Sequence, residues 1–138
     1  MILLANLVAR HGQADEAVEL LQAGRTQIGD DPISPIYLSL SHNLGNRLLG
    51  LGRTAEARPI LTEVLAGRRK ILGPSNRRTL LTQATLAELE EAEGNMDEAR
   101  RLIGQTLDQA IKALGEAHPN TTLYQKMAKQ MGALDEKK

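Results

Sequence analysis

The sequence predicts an all-α fold in which helices stack in antiparallel pairs. Three observations point there. A glycine followed by a short acidic-alanine step recurs along the chain, a second anchor recurs in phase with it, and the segments between them carry apolar residues at helical spacing. No stretch sustains the period-two alternation of β-branched residues that a strand requires.

The first anchor reads Gly12-Gln13-Ala14-Asp15-Glu16-Ala17, then Gly52-Arg53-Thr54-Ala55-Glu56-Ala57, then Gly94-Asn95-Met96-Asp97-Glu98-Ala99, at spacings of 40 and 42 residues. The second reads Leu72-Gly73-Pro74-Ser75-Asn76-Arg77-Arg78-Thr79-Leu80 and returns 42 residues later as Leu114-Gly115-Glu116-Ala117-His118-Pro119-Asn120-Thr121-Thr122. A degenerate copy, Ile28-Gly29-Asp30-Asp31-Pro32, closes the first unit. Two anchors sharing one period mark an internal repeat, and a period of this length marks a stacked array.

Each unit reads as two helices. The pairs Leu4-Ala5, Leu44-Gly45 and Leu86-Ala87 stand ahead of the three anchor glycines and place a small residue where a paired helix must approach closely. The glycine then ends the first helix, since it accepts the left-handed backbone of a C-terminal cap. Acidic residues follow at the next helix start, where they complement the positive end of the helix dipole, and Thr54 adds an N-cap. Ile60, Leu61, Val64, Leu65, Ile71 and Leu72 form one amphipathic face, and Leu102, Ile103, Leu107, Ile111 and Leu114 another. The pattern predicts seven helices near residues 2–10, 14–28, 34–50, 54–72, 77–93, 96–114 and 121–132. Gly24 interrupts the second of these.

Composition excludes several functions. The 138 residues carry 17 basic and 17 acidic side chains and only two aromatics, Tyr37 and Tyr124. A neutral chain without Phe or Trp has neither the basic excess nor the stacking platforms of a nucleic-acid binder. The absence of cysteine removes disulfides, thiolate zinc sites and thiol nucleophiles. Three scattered histidines do not make a metal site, no Gly-rich loop has phosphate-cradle spacing, and no serine has plausible triad partners. The expectation is therefore a non-enzyme with no cofactor and no metal. The apolar start lacks a basic region and falls far short of the roughly 20 residues that cross a bilayer, so a cytoplasmic chain without membrane attachment is expected.

The chain resembles the long-form tetratricopeptide repeats of the kinesin light chain kind. The residues that carry the likeness are Asn43-Leu44-Gly45, Gly52, Glu56-Ala57-Arg58-Pro59-Ile60-Leu61, Arg68-Arg69-Lys70-Ile71-Leu72-Gly73-Pro74, Thr79-Leu80 and His118-Pro119-Asn120-Thr121. The resemblance implies a right-handed superhelical solenoid of helix pairs, one domain over residues 1–138. About three repeats are expected, near 1–33, 34–76 and 77–119, with a capping helix near 121–132. It also implies a protein-protein interaction module whose first helices line a concave groove for a peptide or partner helix. Carried onto this chain, the groove positions are Asn6, Asn46 and Glu88, with Arg10, His42, Leu49 and Glu91 on neighbouring turns. Asn6 and Asn46 could each offer a donor and an acceptor to a peptide backbone.

Two features stand apart. The first helix begins at once with Ile2, Leu3, Leu4, Leu7 and Val8. Through Leu3, Leu4, Leu7 and Val8 it offers the alternative reading of self-association, or of a piece of a longer array. Farther on, Arg68, Arg69, Lys70, Arg77 and Arg78 run without an intervening acid, and Glu88, Glu90, Glu91, Glu93, Asp97 and Glu98 follow without an intervening base. This reads first as helix-end charge typical of such repeats, and second as a bipolar binding surface.

Overall fold

The computed structural model describes residues 14–29 and 34–134, which form six helices and no strand. They are α1 (Ala14–Ile28), α2 (Pro35–Gly50), α3 (Thr54–Leu72), α4 (Arg77–Ala92), α5 (Met96–Leu114) and α6 (Pro119–Met131). The helix expected at 2–10 lies outside the described residues. The other six fall where the pattern puts them, within two residues at either end. Gly24 is the exception to the sequence reading: α1 runs through it without a break, and a side chain there would make only ordinary contact with Leu40.

The helix ends follow from local chemistry. Ser34, Asn76 and His118 are the N-caps of α2, α4 and α6, and each accepts a hydrogen bond from a backbone N–H inside its helix. The three caps sit 42 residues apart. Pro35 and Pro119 occupy the first helical position, where a missing N–H is harmless. This is why α6 starts at Pro119, two residues before the start the sequence suggests. At the other ends, Gly52 and Gly94 take φ of +78° and +82°. Around them Arg53 N–H reaches back to the Leu48 carbonyl (2.9 Å) and Asn95 N–H to that of Glu90 (2.8 Å), closing off α2 and α4.

The chain divides into two compact units, one through Gly67 and one from Arg68 onward. In the first, α1 and α2 pack together, and Val18, Leu21, Leu38, Leu44, Leu48, Leu61 and Val64 are buried. Gly45 allows the Leu61 side chain of α3 to rest on the α2 backbone. In the second, Leu80, Ala84 and Ala87 of α4 join Ala99, Ile103, Leu107 and Ala110 of α5 and Tyr124, Met127, Ala128 and Met131 of α6 in one core cluster. Each fully buried large apolar side chain contributes about 1.5–3 kcal/mol. Burial itself repeats with the period: Ala57 and Ala99, and Leu61 and Ile103, are all fully enclosed.

The second unit also buries polar groups, and several of them are hydrogen-bonded to one another. Gln83, fully enclosed, donates from Nε2 to Thr106 Oγ1 (2.8 Å) and Gln109 Oε1 (3.0 Å), while its Oε1 accepts from Arg69 Nη2 (2.9 Å). Arg100 Nε donates to the Met131 carbonyl at 2.8 Å, tying α5 to the end of α6. Tyr124 Oη is buried without a close hydrogen-bonding partner. Burial pushes its phenol up to about 12, with Asn120 pulling weakly the other way.

Candidate functional site

Of the positions the sequence nominates, Asn6, Arg10, Leu3, Leu4, Leu7 and Val8 lie outside the described residues. The rest divide between the two units. In the first, His42, Asn46 and Leu49 follow one another along one face of α2 at helical spacing. Asn46 is exposed and Leu49 half-buried, whereas His42 retains 8% exposure and is largely enclosed. In the second, Glu88 and Glu91 are exposed one turn apart on α4. Desolvation by the surrounding protein raises the Glu88 carboxyl above its usual range, and the neighbouring Glu91 charge adds to the effect.

The charge distribution on α4 is unusual. A helix end favours acids at its N-terminus and bases at its C-terminus, by roughly 0.3–1 kcal/mol per charge. In α3 the first turn holds Glu56 and the last Arg69 and Lys70, and in α5 the corresponding residues are Asp97, Glu98 and Lys112. Helix α4 inverts the rule. It begins with Arg77 and Arg78, has no acid in its first turn, and alone among the described helices has no base in its last turn. Glu90 there has a structural task, being nearly buried and accepting from Asn95 Nδ2 at 2.9 Å. Glu88 and Glu91 have no such partner, and like charges at this spacing repel.

The basic run is partly absorbed by the fold. Arg68 is 5% exposed and donates to Thr82 Oγ1 (2.9 Å) and to the Arg78 carbonyl (3.2 Å). Burial lowers its guanidinium pKa, and the Arg78 charge lowers it further. With Arg69 held by Gln83, the junction's inner cations are structural. Arg77 and Arg78 remain exposed, although the N–H of Arg78 bonds to the Asn76 cap.

One polar cluster in the first unit has no counterpart in the sequence reading. Arg25 Nη2 donates to Tyr37 Oη (2.8 Å), which donates to Glu63 Oε1 (2.7 Å). The guanidinium also lies 5.1 Å from the Tyr37 ring centroid and 3.7 Å from Glu63. With Gln22 and Thr26 these residues line an open cavity of about 610 Å³. The groups join α1, α2 and α3 and act as a clasp, although Arg25 Nε is buried without a hydrogen-bond partner. Nothing in a pattern of residues so far apart announces it.

Among the described residues no group of three His, Cys, Asp or Glu side chains is placed to hold a metal, and no helix is long and apolar enough to cross a membrane. His118 is engaged as a cap, its Nδ1 accepting from Asn120 N–H at 3.0 Å.

Residues 36–100 match the model of the tetratricopeptide repeat family. Over that segment the chain is similar to tetratricopeptide repeats. Its fold is similar to that of crystallised, nearly identical TPR-like repeats of the kinesin light chain type from Podosopora anserina, at TM-score 0.81 and 29% identity over 93% of this chain. A second crystal structure, of a singly substituted form of those repeats, gives TM-score 0.79 at the same identity and coverage. The chain spans 62% and 61% of the length of these two structures. No curated protein matches the sequence. The described residues form an all-α fold of paired helices similar to that of these repeats.

Proposed function

We propose that the chain is a non-catalytic cytoplasmic module that binds a peptide or a partner helix on the exposed face of its first helices. In the first unit that face is α2, where Asn46 can both donate to and accept from a peptide backbone and Leu49 adds apolar surface. In the second it is α4, with Glu88 and Glu91. The observation that carries the reading is the pair Glu88 and Glu91 itself. Two repelling carboxylates, one with a raised pKa, are unfavourable for the free chain, and a bound partner would relieve them. The neutral composition favours protein over nucleic acid as that partner.

The experiment is affinity capture from the source cells with the full chain and with two variants, Asn46→Ala/Leu49→Ala and Glu88→Lys/Glu91→Lys. The reading requires a discrete set of proteins that is retained by the native chain and lost from at least one variant. Identical capture by all three would overturn it. Self-association is tested alongside by light scattering across a concentration series.

A further inference from the structure

We propose that α4 selects partners by a dipolar charge pattern: a peptide segment with acidic side chains facing Arg77 and Arg78 and basic side chains facing Glu88 and Glu91. This rests on the protein-binding reading above and specifies its chemistry.

Residues 77, 81, 84, 88 and 91 recur at helical spacing and so share one stripe of α4. Arg77 is exposed at one end, Glu88 and Glu91 at the other, and between them Leu81 is half-buried and Ala84 buried. The stripe has two poles of opposite sign with the half-buried Leu81 between them, while Ala84 turns into the core. Arg77, Arg78, Glu88 and Glu91 enter no ion pair with another described residue. Helix α6, which touches α4, exposes Lys126 and Lys129, and neither is paired with these glutamates.

Both poles run against the helix dipole, so the fold gains nothing from them. Their sign also names the ligand. A purely acidic segment would be repelled by Glu88 and Glu91, and a purely basic one by the arginines, so only a segment carrying both charges suits both ends. The eleven-residue step from Arg77 to Glu88 rises about 16 Å at about 1.5 Å per residue. An extended peptide advances about 3.3 Å per residue, so its acidic and basic side chains should stand roughly four to six positions apart.

The test is selection of displayed random peptides, about 12 residues long, on the full chain. Enriched sequences should carry an acid and a base at that spacing, and a selected peptide should weaken about tenfold on Glu88→Arg/Glu91→Arg. That variant should melt higher than the native chain, because arginines suit the C-terminal end of α4, so lost binding cannot be ascribed to unfolding. Enrichment of apolar or single-sign peptides, or unchanged affinity on the variant, would overturn the proposal. A dimer of the free chain that is broken by the same variant would assign the stripe to a second copy and overturn it as well. Peptides that depend on Asn46 but not on Glu88 would overturn this inference and leave the binding function standing. Failure to enrich any peptide would count against both.

Discussion

A Cβ placed on Gly45 would stand 2.6 Å from both Cγ and Cδ2 of Leu61, closer than real side-chain carbons approach. Leu61 is fully buried, and its Cγ is not the loose end of a side chain, so it cannot simply swing aside. Gly45→Ala would gain about 1 kcal/mol of helix propensity and lose about 1–3 kcal/mol to overpacking. The contact should win, with a net destabilisation of about 1 kcal/mol by denaturant unfolding. Gly104 lies within α5 with nothing near its missing Cβ, so Gly104→Ala should stabilise by about 0.5–1 kcal/mol. The opposite signs at the two sites are the test, and two stabilising alanines would refute the packing at Gly45.

Ala57 and Ala99 occupy the same place in successive units, and both are fully enclosed. Ala57→Leu and Ala99→Leu should each cost about 1–3 kcal/mol through overpacking. An unchanged Tm in both variants would contradict the shared register.

His118 serves α6 as Ser34 and Asn76 serve α2 and α4. His118→Asn should preserve stability, whereas His118→Ala should lose about 1 kcal/mol, because only the former keeps an acceptor for the Asn120 N–H. Equal Tm values for the two variants would show the cap to be idle.

Gln83 is held by three side chains in a site closed to solvent. Gln83→Ala leaves a cavity and removes the partner of Gln109 Oε1, so a loss of about 2–4 kcal/mol is expected. A loss below about 0.5 kcal/mol would mean that water replaces the side chain.

The Tyr124 phenol, pushed up to about 12 by burial, carries a pH dependence of definite sign. A group titrating higher in the folded chain than in the unfolded one, where its pKa is about 10, favours the fold in its protonated form. Its contribution is complete below about pH 10 and is lost as pH rises toward 12, by up to about 2–3 kcal/mol. Unfolding followed from pH 8 to 12 should therefore show a steeper alkaline decline in the native chain than in Tyr124→Phe. Parallel curves would place the phenol in water.

Much of this architecture is legible in the sequence because it rests on local chemistry. The glycines that end α2 and α4, the acids that open α3 and α5, and the alanines at 57 and 99 all act on neighbours within a turn or at one repeat period. The caps at Ser34, Asn76 and His118 were open to the same reading, through their common spacing, although three different side chains disguise it. The candidate site is less legible. Whether His42 faces solvent depends on what packs over α2, and periodicity alone cannot say. The Arg25–Tyr37–Glu63 clasp and the Gln83 network join residues whose separations obey no period, so only the folded chain brings them together. In sequence Arg68, Arg69, Arg77 and Arg78 read as one basic run. The fold divides them, enclosing Arg68, engaging Arg69 and leaving the other two at the start of α4.

The central claim is that a partner protein lies on the exposed face of α4. It is tested most directly by carbodiimide labelling of carboxylates, read residue by residue, with and without the captured partner. Glu88 and Glu91 should lose labelling in the complex, while Asp108 and Glu116, exposed on α5 and in the turn after it, should label as before. Protection of Asp108 and Glu116 with Glu88 and Glu91 unchanged would contradict the account and move the binding surface to another face of the repeats.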